Sequence, residues 1–266
     1  MEAYALLLAA TLNAGTVLAI AALGLLINEK AGIVNLGAEG IMLCAAVAGF
    51  AAVVHSGSDG LGFAAGMAAG ALLAAIFGWL VIWLGTNQYA TGLALSLFGV
   101  GFSAFVGIGY VQARLPERPR FNGLGLGDLP LIGPALFRHH PLVYGAMALA
   151  LGLIWFLYRT RGGLVLRSVG ESPQAAHALG YPVRRIRLLA VVAGGALCGL
   201  AGAYLFGGVT MLQFHLQGQG VQSPSQFLTM LPYLATIVVL ALISRNPTWI
   251  RVNMPASLGK PFHPGA

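Results

Sequence analysis

The sequence predicts an all-α polytopic transmembrane bundle of about 7 spans, within a range of 6–8, and three observations carry that expectation. Only 8% of the 266 residues are charged and mean hydropathy is +0.83, whereas a soluble domain has about 25% charged residues. Stretches free of Lys, Arg and Asp recur, each near the roughly 20 apolar residues needed to cross a ~30 Å hydrocarbon core. They are too long and too free of turn signals for barrel strands of ~10 residues, so their backbone polar groups must pair within helices.

In order, the candidate spans are Ala3 to Ile27, Leu36 to Val54, Leu61 to Leu84, Gly92 to Val111, Pro141 to Tyr158, Leu188 to Leu205 and Phe227 to Ser244. The first is longer than a signal-peptide core and lacks a basic leader, which predicts an uncleaved span. Between the last two, Phe206 to Gln226 mixes apolar residues with Gln, His and Gly and predicts an amphipathic or re-entrant stretch. The 38 glycines suit close approach of helices inside a membrane. Cys44 and Cys198 sit within apolar runs without metal-ligand spacing and read as packing residues.

The net charge of +7 could suggest nucleic acid, but the arginines fall between apolar runs, a pattern of membrane orientation. Six Arg lie in the loop from Arg159 to Arg187, Arg245, Arg251 and Lys260 follow the last span, and Lys30 follows the first. With seven spans these 10 positive residues share one face against four in the loop Gln112 to His140, so the first face is expected to be cytoplasmic. The N-terminus is then outside and the C-terminus inside. One transmembrane domain, 1–266, thus carries a cytoplasmic loop at 159–187 and a cytoplasmic tail at 245–266.

Within that loop Ser172 suits an N-cap, Pro173 the first helical position and Gly180 the residue after a helix. They frame a helix of about two turns, QAAHAL. For an arbitrary membrane protein, a helix resting on headgroups is the plainer reading. Glu39 is the acidic residue placed inside an apolar run, close to its end, where a bond to Asn35 or a helix terminus suits it better than a mid-span role. Asn87, Gln88 and Tyr89 interrupt the sequence before Gly92. At the cytoplasmic face they suit a gate or turn better than a pocket. Neither Lys30 nor Lys260 belongs to GxxxxGK[ST], the pattern of a phosphate-binding loop. Paired carboxylates, a Ser-His-Asp order and metal clusters do not stand out, so neither an enzyme nor a cofactor is expected.

The run LRSVGESPQAAHALGYPVRRIRLLAVVAGGALCGLAGAYL resembles the coupling-loop region of ABC importer permeases of the branched-chain amino acid, sugar and nucleoside group. NEKAGIVNLGAEGIML, from Asn28 to Leu43, is similar to that group's early signature, and TNQYATGLALSLFG, from Thr86 to Gly99, to a third block. MLPYLATIVVLALIS with PASLGKPF looks most like the subgroup that works with basic-membrane-protein-type lipoproteins on nucleosides. The resemblance covers nearly the whole chain in order.

It implies that the short helix docks into a groove on a separate ATPase subunit. The residues implied for that contact are Ser172, Pro173, Ala175, Ala176, Leu179, Gly180, Arg184 and Arg185. Arg187 could join them, with headgroup anchoring as the alternative for the arginines. Asn35, Glu39, Asn87 and Gln88 are the candidates for a substrate path. The implied partners are an ABC ATPase, a second permease subunit, a solute-binding lipoprotein and membrane lipid, in a bacterial inner membrane, with transport by alternating access and a nucleoside as the leading substrate. One departure stands out. Family members continue after GLAGAYL with a further stretch long enough for another membrane-embedded element, and here Leu205 abuts Phe206 directly. A secondary transporter or channel is the rival, disfavoured because no charge sits at the centre of a span. A shortened, inactive or purely structural subunit gains weight from the missing stretch.

Overall fold

The computed structural model describes residues 2–110, 113, 141–218 and 254–263, with the backbone alone described at 2–14 and 205–218. Among these residues every long element is a helix: α1 (Glu2–Lys30), α2 (Ala38–Ser56), α3 (Asp59–Ile82), α4 (Gln88–Gly107), α5 (Pro141–Arg159), α6 (Arg161–Glu171), α7 (Pro173–Ala178) and α8 (Val183–Gly218). A single 3₁₀ turn, Ile108–Tyr110, extends α4. Among the described residues five segments are long and apolar enough to cross a membrane: α2, α3, α4 with its 3₁₀ turn, α5, and Val183–Tyr204 of α8. α1, at 29 residues, also exceeds the ~20 residues of a crossing. The expected span Phe227 to Ser244 lies outside the described residues, as does nearly all of the loop Gln112 to His140.

Two elements differ from the sequence expectation. α8 runs on as one 36-residue helix past the end of its apolar run at Leu205 and into the stretch expected to be amphipathic or re-entrant, as far as Gly218, which departs from the re-entrant alternative. The segment has Gly and Gln but no proline before Pro224, and neither residue type stops a helix by itself. The second difference is α6, an 11-residue helix in what the apolar runs marked only as loop. It buries Gly163, Leu166, Val169 and Gly170, a helical repeat on one face too polar overall to register as a span.

α8 is the central helix and packs on α1, α2 and α3. Small residues allow the contact. At the α3/α8 crossing a Cβ added to Gly70 would collide with the Gly195 carbonyl oxygen, and one added to Gly199 with that of Gly66. These positions recur at four-residue spacing on both helices (Gly66, Gly70, Ala74 facing Gly195, Gly199, Ala203), the small-residue pattern that brings membrane helices to backbone contact. α2 and α4 meet the same way at Gly40 and Gly99. Cys44 and Cys198 are buried free thiols in these contacts, as their apolar settings predicted.

Candidate coupling site

Three segments meet at one end of the bundle: the α1–α2 turn, the α5–α8 connection that holds α6 and α7, and residues 254–263. Two backbone bonds join them directly, Ser257 N–H to the Gly170 carbonyl and Gly259 N–H to the Gly32 carbonyl, both at 3.2 Å. These are the segments that the positive-charge count assigns to a common face.

α6 starts at Thr160, whose hydroxyl accepts from Gly163 N–H at 3.1 Å. It ends against the α1–α2 turn, where Gly170 sits so close to the Lys30 carbonyl that a side chain would not fit. α7 follows at once. Ser172 Oγ accepts from Ala175 N–H at 3.4 Å, Pro173 opens the helix, and Gly180 closes it at φ +87°, a backbone state that favours glycine. The caps read from the sequence are therefore the caps of the structure.

The placement of the expected contact residues divides them. Ser172, Ala175, Leu179 and Gly180 are exposed, Leu179 to 78%. Pro173 and Ala176 are buried, and Ala176, at 2% exposure, packs in a cluster with Val169, Val183 and Phe262. They form the seat of α7 and not its outward face, because a six-residue helix lying on a core must turn its i, i+3 pair inward.

The arginines divide too. Arg185 is exposed and Arg184 half-buried. Arg187, grouped with them as a candidate for ATPase or headgroup contact, is 2% exposed and reaches neither. Its Nε donates to the Ala31 carbonyl at 3.1 Å, one terminal nitrogen to the Lys260 carbonyl at 3.3 Å, and the other to Ser257 Oγ at 3.1 Å. Ser257 passes the interaction on by donating to the Gly170 carbonyl. A buried guanidinium satisfied by one oxygen of the α1–α2 turn and two of residues 254–263 ties both segments to α8, and hydrogen bonds from a charged donor are the strong kind. The sequence did hold a signal: Arg187 is the arginine that abuts the apolar run, a position where α8 already turns a face inward.

Three of the four substrate-path candidates hold the backbone. Asn87 Oδ1 accepts from Tyr89 N–H at 2.9 Å and Ala90 N–H at 3.1 Å, which makes it the N-cap of α4. Gln88 and Asn35 are each 4% exposed. Gln88 Oε1 accepts from Val34 N–H at 2.8 Å and so braces α4 against the α1–α2 turn, while Asn35 Oδ1 accepts from Gly37 N–H at 2.9 Å. The amide nitrogens of both side chains are buried without a hydrogen-bond partner. Glu39 is exposed in the first turn of α2, where a carboxylate faces the positive helix end. A cavity of about 270 Å³ opens beside Asn87 and Gln88, between the α3–α4 connection and Gly259 and Pro261. Asn35 and Glu39 do not line it.

The family described as the permease component of branched-chain amino acid transport systems matches residues 7–250. The chain belongs to this family. A putative glucose ABC transporter permease protein of Haloferax volcanii is 45% identical over 204 residues, covering 75% of this chain and 62% of the relative. A guanosine ABC transporter permease protein of Bacillus subtilis is 32% identical over 237 residues, covering 83% and 73%. A nucleoside ABC transporter permease protein of Lactococcus lactis is 30% identical over 282 residues, covering 85% and 88%. No solved structure matches the chain.

This permease thus spans about three fifths of its Haloferax relative's length. The Lactococcus alignment, at 282 positions, is longer than the 266-residue chain itself, so that relative carries residues absent here. Family membership and the apolar helices together make the chain a multi-pass membrane protein.

Proposed function

We propose that this chain is a transmembrane subunit of an ATP-driven importer for a sugar or nucleoside, working in the cell membrane with a separate ATPase, a second permease subunit and a solute-binding lipoprotein. Two relatives are named for guanosine and nucleoside and one for glucose, so the substrate is a hydroxyl-rich small solute, with nucleoside the sequence's own preference. The orientation follows the charge count: the end carrying α6, α7 and residues 254–263 faces the cytoplasm, where an ATPase would meet it.

One observation supports the coupling role above the others. α7 is a capped helix whose inner face is locked into a core and whose outer face, with Ala175, Ala178 and Leu179, is bare at the end of the bundle. A headgroup-resting helix would turn its apolar face outward to lipid and would gain nothing from being clamped beneath. A rigid small projection fits a protein groove.

The test is Leu179→Glu in the full chain, expressed with its ATPase. The exposed position tolerates the change, so insertion stays normal while co-purification of the ATPase is lost. An unchanged yield of ATPase would sink the docking role of α7. Ala176→Glu is the wrong tool, since it would bury a carboxylate among Val169, Val183 and Phe262 and destroy the seat itself.

A further inference from the structure

Residues 254–263 form a short irregular segment with a disproportionate set of partners. At one end Phe262 is buried with Val169, Ala176 and Val183, and its ring stands 5.6 Å from that of His177 at 67°, edge to face. This grips α7 from beneath. In the middle the segment is fixed by Arg187 through Ser257 and Lys260, and by backbone bonds to Gly170 and Gly32. Ala256 N–H adds a bond to Glu171 Oε2 at 3.1 Å, just before α7 begins.

The other side of the segment reaches α4. A Cβ built on Gly259 would lie 3.2 Å from the Tyr89 hydroxyl, and Gly259 holds φ +75°, so a side chain there is both crowded and strained. Gly259 and Pro261 also wall the cavity beside Asn87 and Gln88. α7 itself packs mainly on α6 and α8. The most direct route from α7 to the amino end of α4 passes through residues 254–263, beside a longer one through α6, the α1–α2 turn and the Val34–Gln88 bond.

We infer that residues 254–263 are a strut that carries displacement of α7 to the amino end of α4, with Arg187 as the positioning residue that fixes the strut to the α1–α2 turn. The inference rests on the reading of α7 as the ATPase dock. A segment without regular secondary structure transmits a push only if its length is pinned, and the Arg187 bonds pin its middle. At the α4 end the push meets Tyr89 and the Asn87 cap, where the helix begins and the cavity opens.

The experiment cuts the strut at each end in the reconstituted importer with all its subunits. Phe262→Ala removes the grip on α7, Tyr89→Ala removes the contact at α4, and Phe262→Leu keeps most of the buried volume. Uptake of labelled guanosine and glucose into proteoliposomes is measured beside ATP hydrolysis and retained ATPase. Both alanine variants should keep the ATPase and hydrolyse ATP while uptake per ATP falls about tenfold, within the usual range for coupled sites, and Phe262→Leu should recover most of it. Wild-type uptake per ATP in both alanine variants overturns the strut. So does loss of the ATPase together with uptake in Phe262→Ala, which would make the segment a seat for α7 and nothing more. If Phe262→Ala does not assemble, Tyr89→Ala decides, since Tyr89 is half exposed and its loss leaves the core intact. Leu179→Glu stays the separate control: retention of the ATPase there ends the docking reading whatever the strut variants do.

Discussion

The crossing of α3 with α8 and the tie around Arg187 lie on the same helix, and opposite chemistry holds them. At Gly199 the helices touch through backbone, and at Gly195 through backbone and the methyl of Ala74 alone. At Arg187 a long charged side chain gathers three oxygens from two other segments. In lipid, apolar burial offers no drive toward association, so close van der Waals packing holds helices together. At the bundle's end water competes for every polar group, and a connection lasts only where several bonds from one buried donor act together. The first region fixes how spans lie against each other; the second fixes which loops move as one.

Substitutions that overfill the first region should do the greatest damage. Gly199→Leu puts a side chain into the Gly66 carbonyl and Gly70 backbone, which side-chain repacking cannot relieve. A cost well above the roughly 1–3 kcal/mol of ordinary overpacking is expected, seen as loss of the monodisperse peak in size-exclusion chromatography of the solubilised protein. Gly152→Leu is the matched control, since nothing lies within 4 Å of its Cβ and the peak should survive. Equal damage from both would mean the crossing holds no special place.

Arg187→Met comes next. It leaves the Ala31 and Lys260 carbonyls and the Ser257 hydroxyl without their charged donor, and a loss of about 1–3 kcal/mol, the cost of leaving a buried acceptor unsatisfied, is expected. Thermal unfolding followed by Trp fluorescence should show it. Arg187→Lys should recover only a part, because an ammonium cannot span three acceptors in the guanidinium's fork. Full recovery by Lys would show that charge alone matters and geometry does not.

Two smaller effects separate α7 from both regions. Gly180→Ala forces a side chain into φ +87° and should cost about 1–2 kcal/mol, read as faster proteolysis between α7 and α8. Ser172→Ala removes a cap whose bond is already long at 3.4 Å. A loss near the low end of capping energies, about 0.5 kcal/mol, should speed hydrogen exchange at the Ala175 amide by roughly twofold. The orientation that underlies all of this is tested by cysteine labelling in a Cys44- and Cys198-free chain. Arg167→Cys should be shielded from an impermeant reagent in intact cells and Asn122→Cys should react.

Much of the fold could be read along the chain because membrane spans advertise themselves locally. Apolar runs gave α2, α3, α4 and α5 to within a few residues, and Ser172, Pro173 and Gly180 gave α7 because capping chemistry is local as well. α6 was missed because its apolar positions are few and interleaved with arginine and serine. α8 proved longer than its apolar run because a helix can outlast its hydrophobic stretch. The site was less legible. Arg184, Arg185 and Arg187 look alike as letters, and only the angular setting of α8 sends one inward. Gln88 and Val34 are 54 residues apart, and no local pattern announces a brace of that span.

The shortness of α7 has a consequence for assembly. Six residues are far fewer than the roughly 12–15 that an isolated helix needs in water, so its shape exists only while α6, α8 and residues 254–263 hold it. A peptide copied from 172–180 would present the right letters and the wrong object, and should compete poorly for the ATPase. A partner that recognises this surface is therefore also inspecting the workmanship beneath it. It would engage a finished permease and pass over one whose distant segments had yet to come together.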